Sequence, residues 1–256
     1  MLYSRKNSTF ALVMRNIPTI TRYLLVANLI VFLLAGVLLR YGFDLDYWCG
    51  LHYWSASTFH WWQPLTYMFL HADFGHIFCN MFAVWMFGPI IEREWGERRF
   101  LIYYLVCGLG AALAQELVWS MMPYSPAMLP MLNTIGASGA VFGILFAFGW
   151  LYPDVPMFIL FVPIPIRARV FVIVYALIEL FAGLGSVVGL NADHVAHFAH
   201  LGGMLFGWLL ILWWRHTNWR QPRLFDWWDK IKEKKHKRLD SSDDNRFSDY
   251  HYQKRV

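Results

Sequence analysis

Six apolar runs, each close to the length that crosses a bilayer, constrain this chain more than any other feature of its sequence. A hydrocarbon core of roughly 30 Å takes roughly 20 apolar residues in a helix. Such runs lie at about 23–41, 76–93, 100–122, 136–152, 169–190 and 195–214. His76 and Asn80 interrupt the second, and the fourth is rich in glycine, so neither suits isolation in lipid. Inside a bundle both are acceptable, because small residues let backbones approach. Only 15% of the residues are charged and 19% are aromatic, whereas a soluble domain carries about 25% charged. The expected architecture is an all-α integral membrane protein. It has a short segment 1–22, a six-helix bundle over 23–214 and a polar tail over 215–256.

Basic residues set the expected orientation, since loops on the cytoplasmic side carry the excess of Lys and Arg. With the N-terminus inside, 21 of the 22 Lys and Arg fall on inner segments and only Arg40 falls outside. Both termini are then cytoplasmic. Twelve of these residues lie after residue 214, beside many Asp, so the net charge of +5 does not describe a nucleic-acid surface. The aromatic-rich first outer loop, 42–75, is expected to lie in the membrane interface. The segment 153–168, with four prolines, reads as an inner loop. The tail reads as partly helical around 224–238, its cluster from Lys230 to Arg238 either meeting anionic lipid or simply solvated. The first apolar run starts near Tyr23, so no cleavable signal peptide is expected. Cys49, Cys79 and Cys107 form no disulfide or metal spacing, and the latter two read as small buried residues.

Polar groups inside spans are costly and usually face the bundle interior. Four stand out: His76 and Asn80 on the second span, Ser138 on the fourth and His200 on the sixth. Every even-numbered helix starts at the outer face in this topology. All four residues then sit about 5–10 Å below that face at 1.5 Å per residue. Ser138 lies in Gly136-Ala137-Ser138-Gly139-Ala140, and Gly139 and Gly143 make a smooth stripe. The sixth helix carries a matching stripe of Ala199, Gly203 and Gly207. Helices so lined can bring a serine and a histidine into hydrogen-bond range, and a serine hydroxyl needs such a base to become a nucleophile. Phe142, one turn after Ser138, is placed to stack on the imidazole. His76 and Asn80, four apart, project together; with the Ser138 amide they could bind an oxyanion. Asp193 lies about 10 Å along the helix from His200, too far to serve as a third member, so a Ser–His dyad is expected. His194, His197 and His200 recur every three residues but step around the helix without an acidic partner in reach, so no metal and no cofactor is expected.

Taken as an ordered set, these motifs resemble the rhomboid family of intramembrane serine proteases. The matching pieces are His76-x-x-x-Asn80, Gly136-Ala137-Ser138-Gly139 and Ala199-His200-x-x-Gly203-x-x-x-Gly207. To these add Gly88…Glu92…Gly96-x-x-Arg99-Phe100…Tyr103 at the junction of the second and third helices. The likeness spans roughly 20–214. It implies an endopeptidase that cleaves transmembrane proteins in or near their membrane segments. Its dyad would be Ser138 and His200, and its oxyanion site His76, Asn80 and the Ser138 backbone. The expected partners are transmembrane substrates and the lipid bilayer, not nucleic acid. Trp62-Gln63 and Glu94 depart from the family pattern at positions that look structural. Six spans without a seventh resemble bacterial members, which implies the inner membrane. Two alternatives stand beside this reading. A catalytically inactive relative that escorts membrane clients typically lacks the Ser or the His, and a transporter would continue its polar face through the apolar inner halves of the fourth and sixth spans.

Overall fold

The computed structural model describes residues 17–159, 162–187 and 196–217. The N-terminal 1–16, most of the expected tail and the loop containing Asp193 and His194 lie outside the described residues. Six long helices dominate: α1 (Thr19–Arg40), α4 (Phe74–Trp95), α5 (Glu97–Met121), α6 (Ser138–Leu151), α7 (Ala168–Val187) and α8 (His197–Thr217). Two short ones, α2 (Leu45–Cys49) and α3 (Gln63–Thr66), lie in the first loop. All the long helices except α6 are apolar and long enough to cross a bilayer. The chain is an integral membrane protein built as a six-helix bundle.

α6 is the exception and the centre. At 14 residues it rises only about 21 Å, short of the roughly 30 Å core. Ten of those residues are buried, because α4, α5, α7 and α8 all pack around it. Non-helical backbone is tolerated at membrane depth only where protein surrounds it. α6 meets that condition, and so it can start late. Its far end is level with those of its neighbours: the Tyr152 hydroxyl donates to Glu94 Oε2 at 3.2 Å, and the Arg215 guanidinium lies over the Trp150 ring. The missing length is therefore at the Ser138 end. The fourth span, expected from 136, begins two residues later because Gly136 has φ +127°, outside the helical region.

Other boundaries moved for reasons far away in sequence. α1 starts at Thr19, not 23, because the buried Glu92 caps it. The Ile20 and Thr21 amides donate to Glu92 at 2.8 and 2.7 Å, and the Thr21 hydroxyl at 2.7 Å. A carboxylate at a helix N-terminus satisfies otherwise unpaired amides and complements the dipole. α4 and α5 are separated by Gly96 alone, at φ +79°, a conformation that favours glycine.

Lipid removes the hydrophobic drive between helices, so association rests on packing and on hydrogen bonds worth about 0.6 kcal/mol on average. Two buried tyrosines illustrate this. Tyr103 donates to the Gly143 carbonyl at 2.8 Å and Tyr67 to the Gly108 carbonyl at 2.7 Å. A Cβ on Gly203 would sit 2.7 Å from the Gly139 carbonyl carbon, so α6 and α8 touch backbone to backbone. Cys107 is buried between these helices, but Cys79 lies exposed on the outer surface of α4, unlike the expectation for it.

The first loop is held from within by one amide side chain. Gln63 is fully buried. Its Oε1 accepts from the His52 and His60 amides, and its Nε2 donates to the Thr58 and Trp48 carbonyls. β1 (Leu51–His52) pairs antiparallel with β2 (Asn133–Thr134), tying this loop to the segment before α6. At the opposite end, the proline-rich segment forms a hairpin of β3 (Pro156–Ile159) and β4 (Val162–Arg167). Prolines fit there because every strand of a two-stranded sheet is an edge. Asp154 pairs with Arg169 at 2.9 Å beside it.

Candidate active site

Ser138 is the first residue of α6, reached through a turn that the neighbouring residues dictate. The Gly136 amide donates to the Tyr67 carbonyl at 2.9 Å, anchoring the turn to the first loop. Its positive φ suits glycine, and so does its surrounding space. A Cβ there would lie 2.7 Å from His76 Nε2 and 3.7 Å from Ser138 Oγ. The first intrahelical bond of α6 runs from the Val141 amide to the Ala137 carbonyl. The amides of Ser138, Gly139 and Ala140 precede it and, as at any helix start, have no partner within their own helix.

His200 sits in the first turn of α8 and is 8% exposed. Its Nε2 is 2.7 Å from Ser138 Oγ. The Phe142 ring lies flat against the imidazole, 4.3 Å between centroids and 7° between planes. Gly139 and Gly203, which allow α6 and α8 to touch, set this distance.

Asp73 caps α4 by accepting from the His76 amide at 2.9 Å. His76 Nδ1 accepts the Ala72 amide at 3.4 Å. A neutral ring that accepts at Nδ1 carries its proton at Nε2, and that atom is the one beside Gly136 and Ser138. Asn80, one turn on, is buried; its Nδ2 donates to the His76 carbonyl at 3.1 Å. Thus His76, Ser138, His200, Phe142, Gly136, Gly139 and Gly203 converge, while the hydrogen bond of Asn80 runs to its own helix. His71 packs edge-on against His76 at 4.9 Å. Its burial, reinforced by the nearby His76 and partly offset by the Phe69 carbonyl, pushes its pKa down to about 4.

One residue that is not among the sequence candidates stands in direct contact with His200. Glu179 of α7 is 7% exposed. Its Oε2 lies 2.8 Å from His200 Nδ1 and 2.7 Å from His197 Nδ1. The acid beside His200 comes from the neighbouring helix and not, like Asp193, from the chain just before it. The available signal was a lone carboxylate in the apolar stretch from 169 to 190, by the same reasoning that singled out His76. His197 is buried on this acid, and the three side chains form a cluster whose donor atoms could also hold a metal ion. A cavity of about 290 Å³ adjoins His197, walled in part by Gln115, Trp119, Asn133 and Gly183.

A central helix that starts inside a membrane bundle, with a serine at its tip bonded to a histidine, defines a class of protein, and comparison with known proteins gives it a family. Residues 58–216 match the Rhomboid domain, and the chain belongs to the rhomboid family. It is 30% identical over 158 residues to Rhomboid-like protein 11, chloroplastic, of Arabidopsis thaliana, covering 59% of this chain and 51% of that protein. It is 30% identical over 147 residues to Rhomboid protease GluP of Bacillus subtilis, covering 57% of this chain and 25% of that one. With the putative rhomboid protease YdcA of the same organism it shares 29% identity over 152 residues, 59% and 68% of the two chains. The matched region thus spans about half or less of the first two relatives.

Proposed function

We propose that the chain is a serine endopeptidase that hydrolyses peptide bonds in or near the transmembrane segments of other membrane proteins. The observation that carries this reading is the 2.7 Å contact between Ser138 Oγ and His200 Nε2, made at the tip of a helix recessed in the bundle. His200 takes the hydroxyl proton as Ser138 attacks the scissile carbonyl. The developing oxyanion is met by the first amides of α6, which have no carbonyl partner in their own helix, and by His76 Nε2–H, with Asn80 turning toward it. His200 then returns the proton to the leaving amine, and water attacks the acyl-enzyme. The cavity beside His197 gives water a place near this chemistry.

The substrate reaches the site sideways, past α7. Few residues of α7 are buried, whereas about half of the apolar stretches of α5 and α8 are, so α7 is the loosest wall of the site. A substrate helix must unwind there, since an intact helix keeps its peptide groups in its own hydrogen bonds. The protein sits in a bacterial inner membrane with both termini in the cytoplasm, a reading that rests on the distribution of Lys and Arg and on six spans. Purified protein with Ser138→Ala, reconstituted in vesicles with a model transmembrane substrate, is expected to give no cleavage; cleavage at the parent rate would overturn the assignment.

A further inference from the structure

We infer that Glu179 is a positioning residue for His200, so that the site works as a Ser138–His200–Glu179 relay and not as an isolated pair. The inference rests on the Ser138–His200 reading above and adds to it a carboxylate from a third helix. Oε2 of an ionised carboxylate only accepts hydrogen bonds. With His200 Nδ1 at 2.8 Å, the ring proton must then sit on Nδ1. Nε2 is left with its lone pair, aimed at the Ser138 hydroxyl 2.7 Å away. That tautomer is the one a general base requires.

The imidazole is also fixed in orientation. Phe142 covers one face, and Tyr175, one turn before Glu179 on α7, packs against the Phe142 ring at 5.3 Å. One stretch of α7 thus supports both the acid and the ring that stacks on the base. His197 donates to the same Oε2 at 2.7 Å, so a second imidazole holds the carboxylate. Gly183, one turn further along α7, lets that helix close on α8, since a Cβ there would lie 2.9 Å from the Phe198 ring and 3.2 Å from His197 Cβ. When His200 becomes an imidazolium, the carboxylate stabilises its charge. A mere tie between α7 and α8 would need none of this directionality.

Glu179→Gln separates the two roles, because an amide of the same shape can donate to Nδ1 and drive the ring proton to Nε2. Where such a change traps the wrong tautomer in a Ser–His–acid site, turnover falls about ten-thousand-fold. In detergent or vesicles, Glu179→Gln is expected to lower kcat by about 10²–10⁴-fold, leaving KM within about threefold and labelling of Ser138 by a fluorophosphonate slowed in proportion. A kcat within about threefold of the parent, with Ser138→Ala inactive, would overturn the role of Glu179 and leave the site reading standing. Cleavage retained in Ser138→Ala would instead remove the site itself. Should the Gln variant fail to fold, ¹⁵N-histidine spectra of the parent decide. His200, assigned through its contact with Phe142, is expected to be protonated at Nδ1; a proton on Nε2 would overturn the inference.

Discussion

At the scale of single residues the proposed site separates groups assigned to chemistry from groups that would aim them. His76 offers Nε2–H to the space beside Ser138 because its Nδ1 is occupied by the Ala72 amide. Replacing His76 by Ala should therefore lower kcat with little change in KM. Loss of one oxyanion donor is worth about 10²–10³-fold, and steady-state kinetics on a transmembrane substrate would measure it. His71 makes a prediction about stability instead. Its pKa falls from 6.5 to about 4 on folding, so the unfolded chain takes up a proton that the folded chain refuses. Stability is then full above about pH 6.5 and declines as pH falls toward 4, by on the order of 3 kcal/mol. Unfolding followed between pH 7 and 4 should show this decline, and His71→Gln should flatten it. Ser138 and His200 were legible because polar residues in apolar runs are costly and topology gave them a common depth. Glu179 was not found because its distance to His200 is set by how α7 leans on α8, and nothing along the chain records that lean.

Among the elements, the contact of α6 with α8 determines whether serine and histidine meet. The stripes of small residues were readable in advance; the start of α6 at Ser138 was not, since it depends on the positive φ of Gly136 and on a shell of protein around a short helix. Gly203→Ala places a methyl against the Gly139 backbone. Overpacking of this kind costs about 1–3 kcal/mol and should push the two helices apart. Both the thermal midpoint in detergent and cleavage should fall. Gly36→Ala on α1 is the matching control. A Cβ there meets nothing within 4 Å, so the same change should leave activity intact and hold or slightly raise the midpoint, since Ala favours a helix over Gly by up to about 1 kcal/mol. The starts of α1 and of α6 share a lesson: Glu92 and Tyr67 supply partners from distant parts of the chain, so local signals alone place those boundaries late or early.

For the whole molecule, six apolar helices and their order were readable from hydropathy, five of them long enough to cross a bilayer, and the chain's membership of the rhomboid family agrees with them. The bundle has a buried axis of α5, α6 and α8 and looser outer helices α1 and α7, in a chain with little hydrophobic drive between its parts. That gradient suits the proposed entry of a substrate from lipid. The proposed orientation puts the first loop outside, so Cys49 should react with a membrane-impermeant thiol reagent added to intact cells, and tags at either terminus should not be accessible. A relative that only escorts membrane proteins could share every element of this fold, so shape cannot separate it from a protease. Reactivity of one hydroxyl can. The purified protein should be treated with a fluorophosphonate and the adduct located by mass spectrometry. The account predicts a single modified residue, Ser138, with labelling lost in His200→Ala. An unlabelled Ser138 in folded protein, or labelling that persists without His200, would contradict it.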